Sequence, residues 1–257
     1  MHPAHEPQQN RLLAALSHEE RERLYPHLRL VPMPLGTVLY ELGDVLRYVF
    51  FPTDSIVSMV YVLADGATAE LSVVGNEGFI GAALFIGQTS ATRVIVQSAG
   101  YAYRLIGLRL KDEFQRNGHL QLLLLRYTQA LITQMTQTAV CNRHHSVDRQ
   151  LCRWLLLSLD RMSGNQLTMT QELISQMLGV RREGVNEAAG RLQRLGVIRY
   201  SRGRITVMDR PKLEKLCCEC YAVVRKETDH LLPPPKPRWL RGAQAGPAPG
   251  GQGQNFP

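Results

Sequence analysis

The sequence predicts an α+β chain of three folded parts: an antiparallel β-roll, a long helix and a winged helix-turn-helix. Three observations carry this. Short β-rich runs alternate with turn signals between residues 30 and 110. Residues 111–141 lack glycine and proline after Gly118. Between residues 170 and 208, two helical patterns meet at a glycine and are followed by a hairpin with a basic tip.

The elements follow in order. Residues 10–28 read as a short helix with Leu12, Leu13, Leu16 and Leu24 inward, and Ser17 with Glu20 forms a capping box. Strands are predicted at Val38-Leu39-Tyr40, at Tyr48-Val49-Phe50-Phe51, over 56–62, at Leu71-Ser72-Val73-Val74 and at Arg93-Val94-Ile95-Val96. Asp65-Gly66, Gly75-Asn76 and Ala99-Gly100 are among the turns between them, so the pattern is that of an antiparallel roll. In the long helix, Leu120, Leu124, Tyr127 and Leu131 step by four, three and four, which predicts a homodimer seam; Gln134 and Thr138 continue it with polar side chains. A further helix over 143–160 buries Leu151, Trp154, Leu155 and Leu159, and a last helix is expected over 212–226. Residues 228–257 turn to proline and glycine and are expected to be a disordered tail. The domains are therefore 10–110, 111–141 and 142–227, with the tail after them.

Charge singles out the third part. The chain carries a net +8. Residues 1–141 hold 11 Lys/Arg against 12 Asp/Glu, whereas residues 142–227 hold 16 against 9. A positive field confined to one domain points to a polyanion partner. No apolar run has membrane-spanning length, and residues 1–9 lack the pattern of a signal peptide, so no membrane partner is expected. Five cysteines, none before Cys141, argue against a disulfide framework and for a reducing cytoplasm. Residues 30–110 contain no His or Cys, which excludes a His-based metal enzyme in the roll, and no Ser–His–Asp arrangement is suggested. The chain is not expected to be an enzyme.

The helix-turn-helix supplies the chemistry. Leu173, Ile174, Met177 and Leu178 face inward on its first helix, and Gly179 supplies the left-handed turn. Val185, Ala188, Ala189 and Leu192 face inward on the second. That leaves Arg182, Glu183, Asn186 and Glu187 outward, where a recognition helix meets base edges. Arg182 suits guanine, Glu183 a cytosine amino group and Asn186 adenine, while Glu187 could instead orient the arginines. Thr170, Gln171, Arg181, Arg191 and the wing residues Arg202 and Arg204 are assigned to phosphate. The partner implied is double-stranded DNA. A protein-interaction adaptor using the same fold is the alternative, and it predicts weak, salt-insensitive DNA contact.

Over residues 10–227 the chain resembles the cyclic-AMP receptor/fumarate-nitrate regulator (Crp/Fnr) superfamily of bacterial transcription factors. The residues that carry the resemblance are Pro34-Leu35-Gly36, Val49-Phe50-Phe51-Pro52, Val74-Gly75-Asn76-Glu77-Gly78-Phe79-Ile80-Gly81, the long helix, and Thr170-Gln171-Glu172 leading to Gly179-Val180-Arg181-Arg182-Glu183. The resemblance implies a cyclic-nucleotide-binding-like jelly roll that takes an effector, a dimerising helix and a winged helix on a palindromic promoter. It also implies base reading by Arg182, Glu183 and Glu187, and RNA polymerase as a further partner if the protein activates. The effector site would fall at Gly81, Ser90, Ala91, Thr92, Arg93, Met135 and Thr136. Here the sequence departs from the cyclic-AMP pattern: Gly81 precedes Ala82-Ala83 where that pattern has glutamate, and Ser90-Ala91 stands where it ends in Arg-Ser. Cyclic-AMP recognition is not expected, and the effector and any cofactor are left unassigned. Nor is there an N-terminal cysteine cluster for iron and sulfur. Cys217 and Cys220 fall i, i+3 on the expected last helix and read as buried helix cysteines, His144 and His145 read as capping or exposed, and no metal site is expected.

Overall fold

The computed structural model describes residues 5–232 except 86, 88 and 163. Two short helices open it, α1 (Arg11–Ala15) and α2 (His18–Leu24). Asn10 caps α1, and its side-chain amide donates to the carbonyls of Pro52 and Gly78, pinning the N-terminal helices to the roll. The Ser17–Glu20 capping box forms as the sequence predicts.

Among the described residues, seven strands build the roll: β1 (Arg29–Met33), β2 (Val38–Tyr40), β3 (Tyr48–Pro52), β4 (Ile56–Val62), β5 (Thr68–Val74), β6 (Arg93–Ser98) and β7 (Gly100–Ile106). They pair antiparallel in two sheets, β1-β7-β3 and β2-β6-β4-β5. Tyr40, Val49, Phe51, Phe79, Val96 and Leu105 fill the space between them. The sequence reading missed β1 and β7: Pro32 interrupts the first, and Tyr101-Ala102-Tyr103-Arg104 lacks a clean period of two. Tertiary pairing of one with the other supplies what local propensity does not.

The helix expected over 111–141 is two. α3 (Gly107–Phe114) ends at a turn in which Asn117 takes a left-handed φ of 55°, and α4 (His119–His144) follows. α4 lies on the roll, and this corrects the predicted seam. Leu120, Leu124, Tyr127 and Leu131 are buried in the chain's own core, and do not face a partner. Tyr127 packs on the glycine-rich loop, where a Cβ at Gly78 would stand 2.2 Å from its ring. The polar continuation has the same cause: Gln134 donates to the carbonyl of Val73 at 3.2 Å, and Thr138 accepts from Arg153 at 2.8 Å. Periodicity shows that a helix has a buried side, but not what covers it.

The C-terminal domain comprises α5 (Val147–Leu159), β8 (Gln166–Thr168), α6 (Gln171–Leu178), α7 (Arg182–Arg194), β9 (Ile198–Ser201), β10 (Arg204–Val207), α8 (Arg210–Leu216) and α9 (Glu219–Leu231). Its core holds Leu151, Trp154, Leu155, Ile174, Val185, Leu192 and Ile205, and is continuous with Ile56, Val60 and Val73 of the roll. The expected last helix breaks at Cys217-Cys218, so the cysteines do not share one helical face; Cys218 is the N-cap of α9. α9 runs past the expected start of the tail, packs along α4, and is followed by a buried Leu232. The rest of the proposed tail, with its proline runs, lies outside the described residues.

A buried polar clasp joins the two halves. Glu77, in the glycine-rich loop, accepts from Arg161 Nε at 2.7 Å, and both side chains are buried. Arg161 also donates to the carbonyl of Leu157 and to Gln134 Oε1. Nearby, Ser58 Oγ lies 2.6 Å from Glu70 and 2.7 Å from Gln97 on the sheet face that α5 covers. The loop that resembles a phosphate cradle thus holds a domain joint.

Candidate nucleic-acid interface

The candidate interface is built from capping and turn chemistry upward. Thr170 caps α6, its Oγ1 accepting from the Leu173 N–H at 3.1 Å. Gly179 ends α6 at φ 65°, ψ 34°, the left-handed conformation in which glycine escapes the Cβ penalty. α7 then starts at Arg182 with Val185, Ala188, Ala189 and Leu192 buried, the four residues predicted. Arg181, Arg182, Glu183, Asn186 and Glu187 are exposed.

The wing follows. β9 and β10 pair with Ser201 opposite Arg204, so Arg202 and Gly203 make a two-residue turn with φ values of 49° and 74°. Positive φ at both central positions is the type I′ geometry that suits the twist of paired strands. Two bonds fix the wing's pose: Tyr200 OH donates to the carbonyl of Met169 at 2.9 Å, and the Tyr200 N–H donates to Gln193 Oε1 at 2.6 Å. Burial raises the Tyr200 hydroxyl above its ordinary pKa, and the charge of Arg182 opposes the rise. Thr170, Gln171, Arg182, Tyr200 and Arg202 line an open cleft of about 470 Å³ between wing and recognition helix.

The predicted contact residues divide. Arg182, Thr170 and Gln171 share that cleft with Arg202, while Arg204 stands beside the turn. Gln171 Nε2 donates to Asn186 Oδ1 at 3.0 Å, so an assumed phosphate ligand holds an assumed base reader. Arg191 departs from its expected role. Asp148 of α5 receives its guanidinium through two bonds of 2.7 and 2.6 Å, which also raises its pKa, and Glu187 stands 3.6 Å away. Half a turn round from Arg182, it braces α7 against α5. Sequence reasoning missed Arg194, exposed on the face of Glu183 and Glu187; stepping on from 187 by seven would have found it.

Among the described residues, the expected effector side chains are not brought together. Arg93 is paired outward with Glu41 at 2.8 Å, and Ala91 is exposed. Ser90 and Thr92 are buried, Ser90 Oγ donating to the Thr92 carbonyl. Gly81 sits against Val49 in the roll wall. On α4, Met135 packs on the core while Thr136 is exposed and bonds back to the Ile132 carbonyl. Side chains with metal-ligand chemistry meet elsewhere, at the end of α4. The sequence reading did not pair Cys141 with His145, although an i, i+4 spacing was there to find.

Residues 149–216 match the model of the Crp-like helix-turn-helix domain. No curated protein sequence matches the chain. Solved structures share its fold over about three quarters of the chain. FixK2 from Bradyrhizobium japonicum superposes with a TM-score of 0.63 at 15% identity, over 74% of this chain and 98% of that one. The c-di-GMP responsive global regulator CLP of Xanthomonas campestris gives 0.60 at 19% identity, over 75% and 100%. A Crp/Fnr-family regulator from Eubacterium rectale gives 0.60 at 16%, over 80% and 96%. The chain therefore has the Crp/Fnr fold: roll, long helix and Crp-like helix-turn-helix. Among the described residues, no helix is long and apolar enough to cross a membrane.

Proposed function

We propose that this chain is a sequence-specific DNA-binding transcriptional regulator that works as a homodimer on a palindromic promoter. The observation that carries the reading is the α7–wing face. Arg181, Arg182, Arg202 and Arg204 are exposed there, and none has an ion-pair partner among the described residues, although carboxylates pair with arginines elsewhere on the surface. Solvated cations held on a rigid helix and a rigid turn are what phosphate and guanine edges require.

The test is binding of fluorescently labelled duplexes selected from random sequence, measured against salt. Arg182→Ala should reduce the preference for the selected site over scrambled DNA by roughly 5- to 150-fold, the equivalent of about 1–3 kcal/mol for one bidentate base contact. The double variant Arg202→Gln/Arg204→Gln should leave the preference and lower the slope of log K against log salt by about 2. Salt-insensitive binding by the parent chain would instead favour a protein-interaction adaptor.

The dimer surface is the side of α4 opposite the expected seam. Leu122, Leu125 and Ile132 are 45%, 53% and 52% exposed, and Gln129, Thr136 and Ala139 extend the same three-and-four spacing. An apolar stripe with heptad spacing on a solvent-facing helix suits a two-stranded coiled coil. Leu125→Glu/Ile132→Glu should therefore halve the mass seen by light scattering, with helical content retained. A dimer that survives this double change would place the interface elsewhere. The roll is the input half in this reading, the effector is unassigned, and contact with RNA polymerase belongs to the activator case.

A further inference from the structure

The sharpest chemistry outside the candidate interface lies where α4 meets α9. Cys141 of α4, His145 just after its end, Cys218 at the N-cap of α9 and Cys220 in its first turn bring one ligand atom each within 4.8 Å of the others. The three cysteines are buried and His145 nearly so. The set joins segments 73 or more residues apart in sequence (from His145 to Cys218). We propose that Cys141, His145, Cys218 and Cys220 bind one tetrahedral divalent ion of the zinc class, which staples the end of the long helix to the C-terminal helix.

Geometry selects this ion. Zinc holds thiolate sulfur at about 2.3 Å and imidazole nitrogen at about 2.0–2.1 Å, so the edges of its tetrahedron are about 3.5–3.8 Å. Cys141 Sγ and Cys218 Sγ stand 3.6 Å apart, and Cys220 Sγ and His145 Nδ1 also 3.6 Å. A four-iron cluster needs its ligands spread over four metal atoms, farther apart than this set allows. The surroundings fit as well. His145 Nε2 faces Glu219 Oε1 at 3.4 Å, the carboxylate–histidine relay that leaves Nδ1 free to ligate. Cys218 and Cys220 lie at the positive end of the α9 dipole, which favours thiolates. Binding displaces the three thiol protons to solvent and leaves the centre with one net negative charge. The buried guanidinium of Arg153, held by Thr138 one turn before Cys141, acts on Cys141 and offsets that charge. The staple sits at the junction of two helices: α4 ends at His144 and α5 starts at Val147. A bound ion would fix how the DNA-reading half leaves the long helix.

The experiment titrates the reduced full-length chain with Zn(II) and Co(II). The expected result is one ion per chain, with Co(II) giving thiolate charge transfer and the intense visible bands of a tetrahedral site. Cys141→Ser and Cys218→Ser should abolish these bands, while Cys217→Ser and Cys152→Ser should leave them unchanged. His145→Cys should keep the stoichiometry and shift the bands, which distinguishes lost ligation from lost folding. Glu219→Gln should weaken zinc by about 10- to 100-fold. Failure of the reduced chain to take up either ion would overturn the proposal. So would equal loss in Cys217→Ser, or a Cys141–Cys218 disulfide in the chain as purified.

Discussion

Arg161→Met should lower the unfolding free energy by about 3–5 kcal/mol, because it takes from the buried Glu77 carboxylate the guanidinium that hydrogen-bonds it. Three bonds disappear at once: to Glu77 at 2.7 Å, to the Leu157 carbonyl at 2.7 Å and to Gln134 Oε1 at 3.1 Å. Methionine fills part of the volume, so the loss reports charge and hydrogen bonding rather than a cavity. Removing both partners should cost much less than the single change, since desolvation then falls away with attraction. Urea unfolding of the parent, Arg161→Met, Glu77→Gln and the double variant gives the cycle. A single-variant loss below about 1 kcal/mol would mean that water reaches the pair and that the clasp does not join the domains.

Glu70 should make stability fall as pH rises, the reverse of an ordinary carboxylate. Burial between the roll and α5 raises its carboxyl to about 7, against the Ser58 hydrogen bond and the charges of Arg153 and Arg161 that pull it down. In the unfolded chain the group titrates near its ordinary value of 4.5. Its contribution is thus fully present below pH 4.5 and is lost as pH rises through 7, because the folded state must then bury the anion or take up a proton. The whole effect is on the order of 3 kcal/mol, from about 1.4 kcal/mol per pH unit across that window. The difference in stability between the parent and Glu70→Gln, measured at pH 4.5 and at pH 8, removes the titration of every other group. A difference that does not move with pH would show Glu70 ionised and solvated in the folded chain.

Both predictions concern the joint between the halves, the part of the molecule that the sequence did not display. Local signals were legible where one element decides its own shape. The Ser17–Glu20 box, the Thr170 cap, the left-handed Gly179 and the inward set Val185, Ala188, Ala189 and Leu192 each depend on residues within a few positions of one another. The Arg202-Gly203 turn and its basic flanks belong with them. The exposed face of α7 and its wing was therefore readable from the sequence, apart from Arg194 and from Arg191, which Asp148 draws away from 43 positions upstream.

The misses have one cause. A helix stripe records that apolar side chains are covered, and a dimer partner and the chain's own roll cover them equally well. Only the docking of α4 on the roll showed that Leu120, Leu124, Tyr127 and Leu131 belong to the inner face, while Leu122, Leu125 and Ile132 stay exposed. The cysteines repeat the lesson, since Cys141 and His145 meet Cys218 and Cys220 only because α9 returns along α4. The sequence by itself determined the helix-turn-helix and its wing, because caps, turns and helical faces are short-range. Tertiary structure alone decided the clasp, the docking of α4 on the roll and the Cys–His cluster, because each is made by segments that are distant in the chain and adjacent only once it has folded.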